Sequence, residues 1–397
     1  MWSGRIDSRR LRAEYPAAGS KGMKIMKHIA IIGASYLQLP LIEKAKELGF
    51  VTHVFAWAAD DIGEHAADHF YPISVVEAEQ IAQKCREIGV CGVCSIASDL
   101  CAVTASRVAH SLGLPGNSLS CTAKSSNKFL MREAFAKRGD PIPQYVLVDK
   151  KTELGTLRLR YPVIVKPTDR SGSRGICKLE NSAGLQSAVE HALSQSFEKK
   201  SLIEEFVAGQ EYSVEGISFH GMHTILAVTK KFTTGAPQYI ETGHMEPAQL
   251  DPASYRKICD TVLHALDSLE IQDSASHSEV KIDASGRVTI IEIGARMGGD
   301  CIGSDLVPYS TGIDFVKAVI QVACGEAPDL IPKGEIAPVE VRFLLSEADV
   351  RRMEEDERSG QLLKIIDFHP ENLGQTTDSS NRAGCYLRKS RTAGTAE

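Results

Sequence analysis

Over the first third of the chain, apolar and polar positions follow two patterns, short continuous apolar runs and a helical period. Short apolar runs at His28–Gly33 and Val51–Ala56 predict buried strands. Residues 39–48, 77–88 and 99–112 instead repeat their apolar positions with a helical period, and glycine follows each of the three segments. Two further apolar runs, Tyr71–Ile73 and Val90–Ile96, complete the set. This alternation of strands and helices predicts a parallel, doubly wound sheet.

The pattern changes after residues 115–126, a stretch with Gly, Asn and Ser that predicts a linker. Beyond it, a helical period at Lys128–Lys137 ends before Gly139. Later runs predict strands at Tyr161–Lys166, Leu202–Phe206, Glu211–Ser218, Ile225–Lys231, Val339–Leu344 and Leu363–Phe368, and helices at Pro252–Leu269 and Asp314–Cys324. A chain of 397 residues organised in this way suggests two or three domains packed together.

Two carboxylates stand out within this pattern. Glu279 and Glu292 each lie in a short segment of alternating apolar residues, and the turn-forming segment Asp283–Arg287 separates the two segments. The sequence therefore predicts a hairpin with one carboxylate on each strand. Two adjacent carboxylates repel each other unless a cation lies between them, and hard oxygen ligands suit Mg²⁺. A solvated strand face is the plainer alternative.

Positive charge and a glycine-containing loop accompany this pair. Arg296 follows Glu292 closely and offers a planar fork for an oxyanion. Lys166 ends an apolar run, and the loop after it is small and polar. Its candidate phosphate contacts are Ser171, Gly172, Ser173, Arg174 and Gly175. The loop lacks the GxxxxGK[ST] pattern of a Walker A motif, and a flexible hairpin tip is the alternative.

A third segment suits a nucleoside. Glu204 and Glu205 end an apolar strand, Phe206 and Val207 follow in a short apolar turn, and Glu211 lies on the next strand. Adenine needs a hydrogen-bond acceptor for its amine and a backbone N–H for a ring nitrogen, and a ribose diol suits a carboxylate. The sequence predicts these contacts for Glu204, Val207 and Glu211 in that order.

The first strand does not carry a dinucleotide motif. Gly33 is followed by Ala34 and Ser35, and the second and third glycines of GxGxxG are missing. Backbone could not approach a pyrophosphate in the usual way, which argues against a nicotinamide or flavin cofactor. The loop still lies at the carboxyl end of the predicted sheet, where open α/β sheets bind ligands.

Composition narrows the classes of partner. The formal net charge is −6 and 43% of the residues are hydrophobic, which favours neither nucleic acid nor an acidic membrane surface as a partner. No apolar stretch approaches the roughly 20 residues that span a bilayer. The ten cysteines show no disulfide pattern and fit the reducing cytoplasm. Cys91 and Cys94 form an isolated CxxC pair, which predicts buried thiols more readily than a zinc or redox site.

The first 26 residues are polar, mix both signs of charge and lack the apolar core of a signal peptide. We expect them to be a disordered leader, with folded structure from about Lys27.

Taken together, these segments resemble the ATP-grasp ligases. The resemblance covers roughly residues 27–332 and rests on the NKFLMR, VIVKP, EEFVAGQEYSVEG and SEVKI…IIEIGARMGGD segments in the family's order. Two segments, QYIETGHMEP and GARMGGD, are most similar to the ADP-forming L-amino-acid ligases, which join amino acids into dipeptides. The resemblance implies an α/β (α+β) protein with the ATP-grasp fold.

The resemblance also implies domain boundaries. Residues 27–119 would form a Rossmann-like pre-ATP-grasp domain, and residues 120–332 the ATP-grasp domain, with a lid at about 141–206. Residues 333–397 would form a small C-terminal α+β region. That region departs from the family pattern, and we expect it to be shortened or rearranged.

Residue roles follow by similarity. Lys128, Lys166 and the 169–175 loop would contact the ATP phosphates, the 204–211 segment would hold adenosine, and Glu279 and Glu292 would bind Mg²⁺, with Mn²⁺ as a substitute. Arg296 would stabilise an acyl phosphate. Substrate contacts are expected from Glu241, His244, Arg296, Gly298 and Gly299. A second metal site in the family often uses Asn where this chain has Gly294, so the metal would keep more waters or a backbone group would substitute.

Three functions fit these features. The first is an ATP-dependent carboxylate–amine ligase acting on amino acids through an acyl phosphate. The second is a ligase or carboxylase of the same fold that uses formate, bicarbonate or a biosynthetic intermediate. The third is a non-catalytic nucleotide sensor. It is disfavoured because the chain has all five of the charged site residues that catalysis would need, namely Lys128, Lys166, Glu279, Glu292 and Arg296. Small-molecule substrates are expected, and a homodimer is a common state among such ligases.

Overall fold

The computed structural model of the chain describes residues 26–172, 174–235, 240–377 and 381–390. The predicted leader, apart from Met26, lies outside these ranges. No helix within them combines the length and the apolar character that crossing a membrane requires. The described residues form three sheets with helices packed against them.

The first sheet is parallel, as the alternating pattern predicts, with its strands in the order β3-β2-β1-β4. Its elements are β1 (Lys27–Ile32), α1 (Leu39–Glu47), β2 (Phe50–Phe55), α2 (Ile62–Ala66), β3 (His69–Tyr71), α3 (Ala78–Ile88), β4 (Gly92–Cys94) and α4 (Asp99–Leu112). The third strand ends at Tyr71, where the sequence predicts its start. The fourth keeps only three residues of the predicted Val90–Ile96 run.

The stretch predicted as a linker is mostly helical. Helix α5 spans Leu119–Ser126, and α6 spans Lys128–Arg138. The Ser118 side chain accepts from the Cys121 amide and caps α5, while Cys121 itself is fully buried. The prediction of a linker was wrong because the small polar residues that favour loops also cap helices and fit close helix packing.

The second sheet is antiparallel and small. Its strands β5 (Tyr145–Val148), β6 (Val163–Pro167), β7 (Cys177–Leu179) and β8 (Ser201–Glu205) pair in the order β5-β8-β6-β7, and helix α7 (Leu185–Gln195) covers one face. Val163, Val165, Val189 and Ile203 belong to a hydrophobic core that is separate from the others. A unit with its own core can shift as a body against its neighbours.

The third sheet is antiparallel and has eight strands in the order β13-β12-β9-β10-β11-β14-β16-β15. Its elements are β9 (Gln210–Phe219), β10 (Met222–Thr233), β11 (Glu241–Glu246), α8 (Pro252–Ser268), β12 (Ser274–Ile282), β13 (Val288–Gly294), α9 (Val307–Thr311), α10 (Phe315–Ala323), β14 (Val339–Phe343), α11 (Glu347–Arg358), β15 (Leu362–Phe368) and β16 (Gly384–Lys389). Strands from the C-terminal region therefore extend the sheet that carries the hairpin.

Helix α10 joins the first and third sheets. It is apolar on most of its surface, and Phe315 and Ile320 share one core with Ile31 of β1 and Ile217 of β9. A helix that is apolar on most sides needs neighbours on most sides, so it fixes the two sheets against each other. The loops that end the parallel strands are thereby held beside the large sheet.

Candidate active site

A cavity of about 880 Å³ opens between the sheets. Its walls come from the second sheet, the third sheet and the loop that follows β4. The predicted site residues that line it are Lys128, Lys166, Ser171, Gly172, Glu204, Glu205, Phe206, Val207, Glu211, Glu241, His244, Glu279, Glu292, Arg296 and Gly299. Arg174, Gly175 and Gly298 are described but are not part of the lining, and Ser173 lies outside the described residues.

The two carboxylates of the hairpin lie directly opposite each other. Strands β12 and β13 pair in antiparallel register with Glu279 facing Glu292, and the register shifts just after Glu279. Directly opposed residues on one face have Cβ atoms about 4.5–5.5 Å apart. The side chains are 25% and 30% exposed, so both carboxylates reach the cavity while their stems are packed.

Each of these carboxylates already has a lysine partner. Lys231 Nζ lies 2.6 Å from Glu279 Oε1, and Lys128 Nζ lies 2.8 Å from Glu292 Oε1. Burial alone would raise the pKa of Glu279, but the Lys231 charge and the His277 hydrogen bond hold that pKa well below its usual range. Glu279 is therefore arranged to stay ionised beside positive charge.

Lys231 was not predicted as a site residue. Burial would lower its pKa, but Glu211, Glu279 and Glu241 together raise that pKa well above its usual range. Its Nζ is 2.9 Å from Glu211 Oε1 and 3.9 Å from Glu241 Oε1. The signal in the sequence was weak, because Lys231 ends an apolar run as many exposed lysines do.

The opposed pair fits a divalent cation. Mg²⁺ is commonly held by one or two carboxylates together with substrate phosphates and water. Glu279 and Glu292 supply two such oxygen donors, and no group of three or more His, Cys, Asp or Glu side chains suited to a metal occurs among the residues that the structure describes. The donor set suits an ion that arrives with phosphate.

Lys166 lies in a fully buried charge cluster. Its Nζ is 2.6 Å from Glu204 Oε2, and Arg132 Nε donates to Glu204 Oε1 at 2.6 Å. Burial would raise the pKa of Glu204, but Arg132 and Lys166 lower it to about 2. The Glu204 carboxylate thus orients Lys166. Its predicted contact with adenine stays a prediction, and in this arrangement the carboxylate already has two cationic partners.

The segment after Glu204 crosses from the second sheet to the third. Glu205, Phe206 and Val207 line the cavity, and the Phe206 ring has Lys178 Nζ 4.0 Å and Lys281 Nζ 5.2 Å from its centroid. Glu211 Oε2 lies 3.6 Å from Lys281 Nζ. An apolar turn followed by a carboxylate on the next strand is a reasonable cradle for a base and its ribose.

The loop after Lys166 folds back over α6. The Lys128 amide donates to Thr168 O at 2.7 Å, and Lys128 Nζ donates to Arg170 O at 2.6 Å. Arg170, which belongs to the predicted 169–175 phosphate loop, also lines the cavity and lies over the Phe197 ring at 4.1 Å. Arg174 instead is exposed and donates to Ser171 O, which helps close the loop on itself.

Arg296 forms an ion pair with Asp99, which lines the cavity on the side of the first sheet. Its Nε donates to Asp99 Oδ1 at 2.7 Å and its Nη2 to Asp99 Oδ2 at 3.3 Å. Burial would lower the pKa of Arg296, but the Asp99 charge raises it. Asp99 is the first residue of α4, and nothing in the sequence around it indicated this pairing, which joins residues from two sheets.

A buried histidine–glutamate pair lies beside the hairpin carboxylates, and His277 itself lines the cavity. His277 Nδ1 contacts Glu215 Oε1, and the Gly298 amide donates to Glu215 Oε2 at 2.9 Å. Burial would lower the pKa of His277, but the Glu215 charge raises it to about 9. A Cβ on Gly298 would lie 2.7 Å from both partners, so glycine is needed there. Gly298 is placed to build the site, and its predicted substrate contact stays a prediction.

The far wall of the cavity contains His244, Asp300 and Gly299. His244 is only 1% exposed, and its Nε2 lies 3.7 Å from Asp300 Oδ2. Burial lowers the pKa of His244. Arg382 lies just before β16 in the C-terminal region, and its Nη2 donates to Asp300 Oδ1 at 2.5 Å. The sequence analysis gave Arg382 no role, because it is far from the other site residues along the chain.

Comparison with known proteins agrees with this arrangement. Residues 159–305 match the family model of the ATP-grasp domain. The chain contains an ATP-grasp domain. The matched range includes Lys166, the hinge at Glu204–Glu211, both hairpin carboxylates and Arg296, so the predicted family resemblance is confirmed.

Sequence relatives and solved structures are similar to this chain over more residues than the 159–305 range that the family model matches. Alanine–anticapsin ligase of Bacillus subtilis is 26% identical over 302 residues, 67% of this chain and 61% of the relative. D-alanine–D-alanine ligase of Pseudomonas putida is 24% identical over 221 residues, 53% of this chain and 68% of the relative. An L-amino acid ligase from Bacillus licheniformis superposes with a TM-score of 0.79 at 22% identity, covering 92% of this chain and 94% of that one.

These comparisons fix the fold class. The structural likeness confirms the mixed α/β ATP-grasp architecture that the sequence predicts. The chain spans about three fifths of the length of alanine–anticapsin ligase. Activity and substrates are therefore argued from the site.

Proposed function

We propose that this chain is an ADP-forming carboxylate–amine ligase that joins amino-acid substrates through an acyl phosphate. The observation that carries the proposal is the convergence, in one cavity, of two directly opposed carboxylates with Lys128, Lys166 and Arg296. Phosphate and carboxylate groups are negatively charged, and fixed cations in a cavity stabilise them. The ligase relatives support the reaction class.

The chemistry needs two displacements. A carboxylate oxygen attacks the γ-phosphorus of ATP, the bond between that phosphorus and the bridging oxygen breaks, and ADP leaves. An amine then attacks the acyl carbon, loses a proton, and expels phosphate as the amide forms. Negative charge develops first on phosphoryl oxygens and then on the carbonyl oxygen, so fixed cations beside both positions lower both barriers.

The lysines and Arg296 would supply these cations. Lys128 and Lys166 reach the cavity from α6 and β6, and carboxylates that are already bonded to them hold them in place. Arg296 keeps its fork orientation through Asp99. Because the partners are fixed before substrate arrives, little reorganisation is needed when charge develops.

Glu279 and Glu292 would hold Mg²⁺. When bound, the ion neutralises the phosphates and polarises the transferred group. In its absence Lys231 and Lys128 neutralise the two carboxylates, which keeps the hairpin from repelling itself. Glu211, with Val207 and Glu205, would hold the nucleoside.

The second sheet would act as a lid. It has its own hydrophobic core and carries Lys166 with the loop at residues 169–175. An acyl phosphate hydrolyses in water, so a unit that closes over the phosphates would protect it. We also propose the cytoplasm as the location and a homodimer as the assembly, in keeping with the free thiols and the family resemblance.

The decisive experiment measures ADP and phosphate release with Mg²⁺-ATP against single and paired amino acids. The proposal expects release that needs a pair of amino acids and that yields a dipeptide by mass spectrometry. Release that depends on bicarbonate or formate would instead favour another carboxylate. ATP binding without any release over the whole panel would favour a nucleotide sensor.

A further inference from the structure

Two cysteines outside the cavity lie close together, although they are 233 positions apart along the chain. The sulfur atoms of Cys91 and Cys324 are 3.7 Å apart. Both residues are partly exposed, and neither of them lines the 880 Å³ cavity. The chemistry proposed above therefore gives this pair of thiols no role.

The main chains beside the two thiols pack against each other. Cys91 precedes Gly92, the first residue of β4, and Cys324 follows Ala323, the last residue of α10. A Cβ atom on Gly92 would lie 2.8 Å from Ala323 O and 2.9 Å from Cys324 Sγ. Because the two segments are already in contact, side-chain rotation can bring the sulfur atoms to bonding distance without a large movement of either element.

The surroundings make Cys91 the better nucleophile of the two. The hydrogen bond with Cys324 lowers the pKa of the Cys91 thiol, burial opposes this shift, and the charge of Lys27 adds to it. The same contact raises the pKa of Cys324. The thiolate is the form that attacks an oxidant, so Cys91 reacts first and Cys324 keeps its proton until the second step.

Other neighbouring thiols lack this combination of contact and exposure. Cys94, the second cysteine of the CxxC pair, is buried, and its sulfur lies 4.0 Å from Ala30 O. Cys301 and Cys385 have sulfur atoms 3.9 Å apart, but each residue is only 5% exposed. Buried thiols are shielded from an oxidant in solution. The Cys301–Cys385 pair is therefore an internal control for the effect of exposure.

We propose that Cys91 and Cys324 form a reversible disulfide in the presence of hydrogen peroxide, and that this bond ties the first sheet to α10. The Cys91 thiolate attacks one peroxide oxygen, the O–O bond breaks, and hydroxide leaves a sulfenic acid behind. The Cys324 thiol then attacks that sulfur, and water leaves as the S–S bond forms. Two thiols are oxidised, and the peroxide becomes two water molecules once hydroxide takes up the proton that Cys91 lost.

The bond would restrain the junction between the first and third sheets. Helix α10 holds these sheets together through a shared core that includes Phe315 and Ile31. A bond between residues 233 positions apart closes a long loop, so it reduces the entropy of the unfolded chain. We expect oxidation to raise the apparent Tm by about 3–6 °C, and a thiol reductant to reverse the rise. A cytoplasmic disulfide of this kind would be transient.

The test treats the reduced full-length protein with hydrogen peroxide and then blocks the remaining thiols with N-ethylmaleimide. Peptide mapping without reduction should find a linked pair of peptides that contain Cys91 and Cys324. The intact protein should carry two fewer blocking groups than the reduced protein with its 10 cysteines. Dithiothreitol should restore both. The Cys301–Cys385 pair should oxidise at least about 10-fold more slowly.

Three variants separate the roles of the thiols. Cys324→Ser should stop at the sulfenic acid, which dimedone traps on Cys91. Cys91→Ser should give neither the disulfide nor a dimedone adduct on Cys324. Cys94→Ala should form the disulfide as wild type does, because the second cysteine of the CxxC pair takes no part.

Other results would overturn the inference. A wild-type map in which Cys91 bonds to Cys94 or to a second chain excludes this disulfide. So does a Cys91 thiol that stays free after Cys301 and Cys385 have oxidised. An unchanged apparent Tm after complete bond formation excludes the restraint on α10. The mapping needs neither a variant nor turnover, so this proposal and the ligase function fail separately.

Discussion

The two ends of the cavity differ in how their polar groups are satisfied. At the hairpin end, Glu279, Glu292 and Glu204 each accept from a buried lysine. At the His244 end, buried nitrogens of His244 and Arg382 have no partner. The carboxylates of the first end are already paired, although Nη1 of Arg132 beside Glu204 is also buried without a partner, whereas at the second end both ring nitrogens of the buried histidine lack one.

Under the proposed function, the difference reflects what each end would bind. Phosphates and Mg²⁺ carry large charges, and fixed groups that exchange one ionic partner for another lose little free energy on binding. An amino acid is smaller and less charged, and a site recognises it best through donors that nothing else satisfies. Selectivity would therefore reside at the His244 end, and reactivity at the hairpin end.

We expect the largest effect at the hairpin end from removal of Lys231, the lysine that Glu211 and Glu279 share. Lys231→Met would remove the buried charge that Glu211 and Glu279 share and leave them only their more distant partners Lys281 and His277 at 3.6 Å. We expect the free energy of unfolding to fall by about 3 kcal/mol. Denaturant unfolding at pH 7 measures it. The loss should shrink at pH 4, because the freed carboxylates can then take up protons.

A matched variant shows whether burial is the cause. Lys317 forms a comparable but more exposed ion pair with Asp329 at 2.8 Å. Lys317→Met should cost less than about 1 kcal/mol. Similar losses in the two variants would mean that the shared charges around Lys231 have no special weight.

Next in size is the loss of one hairpin carboxylate. Glu292→Gln keeps the shape of the side chain but weakens the proposed metal site, and we expect kcat to fall by about 100- to 1000-fold while ATP still binds. Steady-state ADP release and calorimetry measure the two quantities. Glu354→Gln, on the exposed face of α11, is the matched control. Full activity in the Glu292 variant would remove the hairpin from the mechanism.

The pH dependence of stability examines the pair of His277 and Glu215 beside the hairpin carboxylates. The folded pKa of His277 is raised to about 9 against an ordinary value near 6.5. Its contribution is therefore fully present below about pH 6.5 and is lost as pH rises through about 9. Wild type should lose about 2–3 kcal/mol more than His277→Gln between pH 6 and 10. Parallel stability curves for the two proteins would show that His277 is not held protonated.

The smallest expected effect concerns two adjacent glycines. Gly298→Ala should destabilise by roughly 1–3 kcal/mol, because its Cβ would press on Glu215 and His277 at 2.7 Å. Gly299→Ala should be nearly neutral, since the nearest atom to its Cβ is 3.5 Å away. Thermal unfolding of both variants checks the contrast. Equal tolerance would show that the Glu215–His277 pair can move aside.

Local patterns in the sequence predicted more of the hairpin end than of the far end. Glu279, Glu292 and Arg296 lie within one short segment, and strand alternation with a turn is enough to bring the carboxylates together. Lys231, Asp99 and Arg382 were missed because each arrives from a distant element. The same limit explains why the helix at Leu119–Ser126 was missed. Its stability depends on the packing of Cys121 against other elements as much as on the helix propensity of its residues.

By itself the sequence determined the parallel first sheet, the opposed carboxylates and the family to which the central segment is related, because these depend on periodicity and on residues that are close along the chain. Only the tertiary structure decided which charges pair, that Glu204 holds Lys166, and that Arg382 pairs with Asp300. Pairing depends on distances between elements, and those distances are set by how the sheets and α10 pack, which no local pattern records.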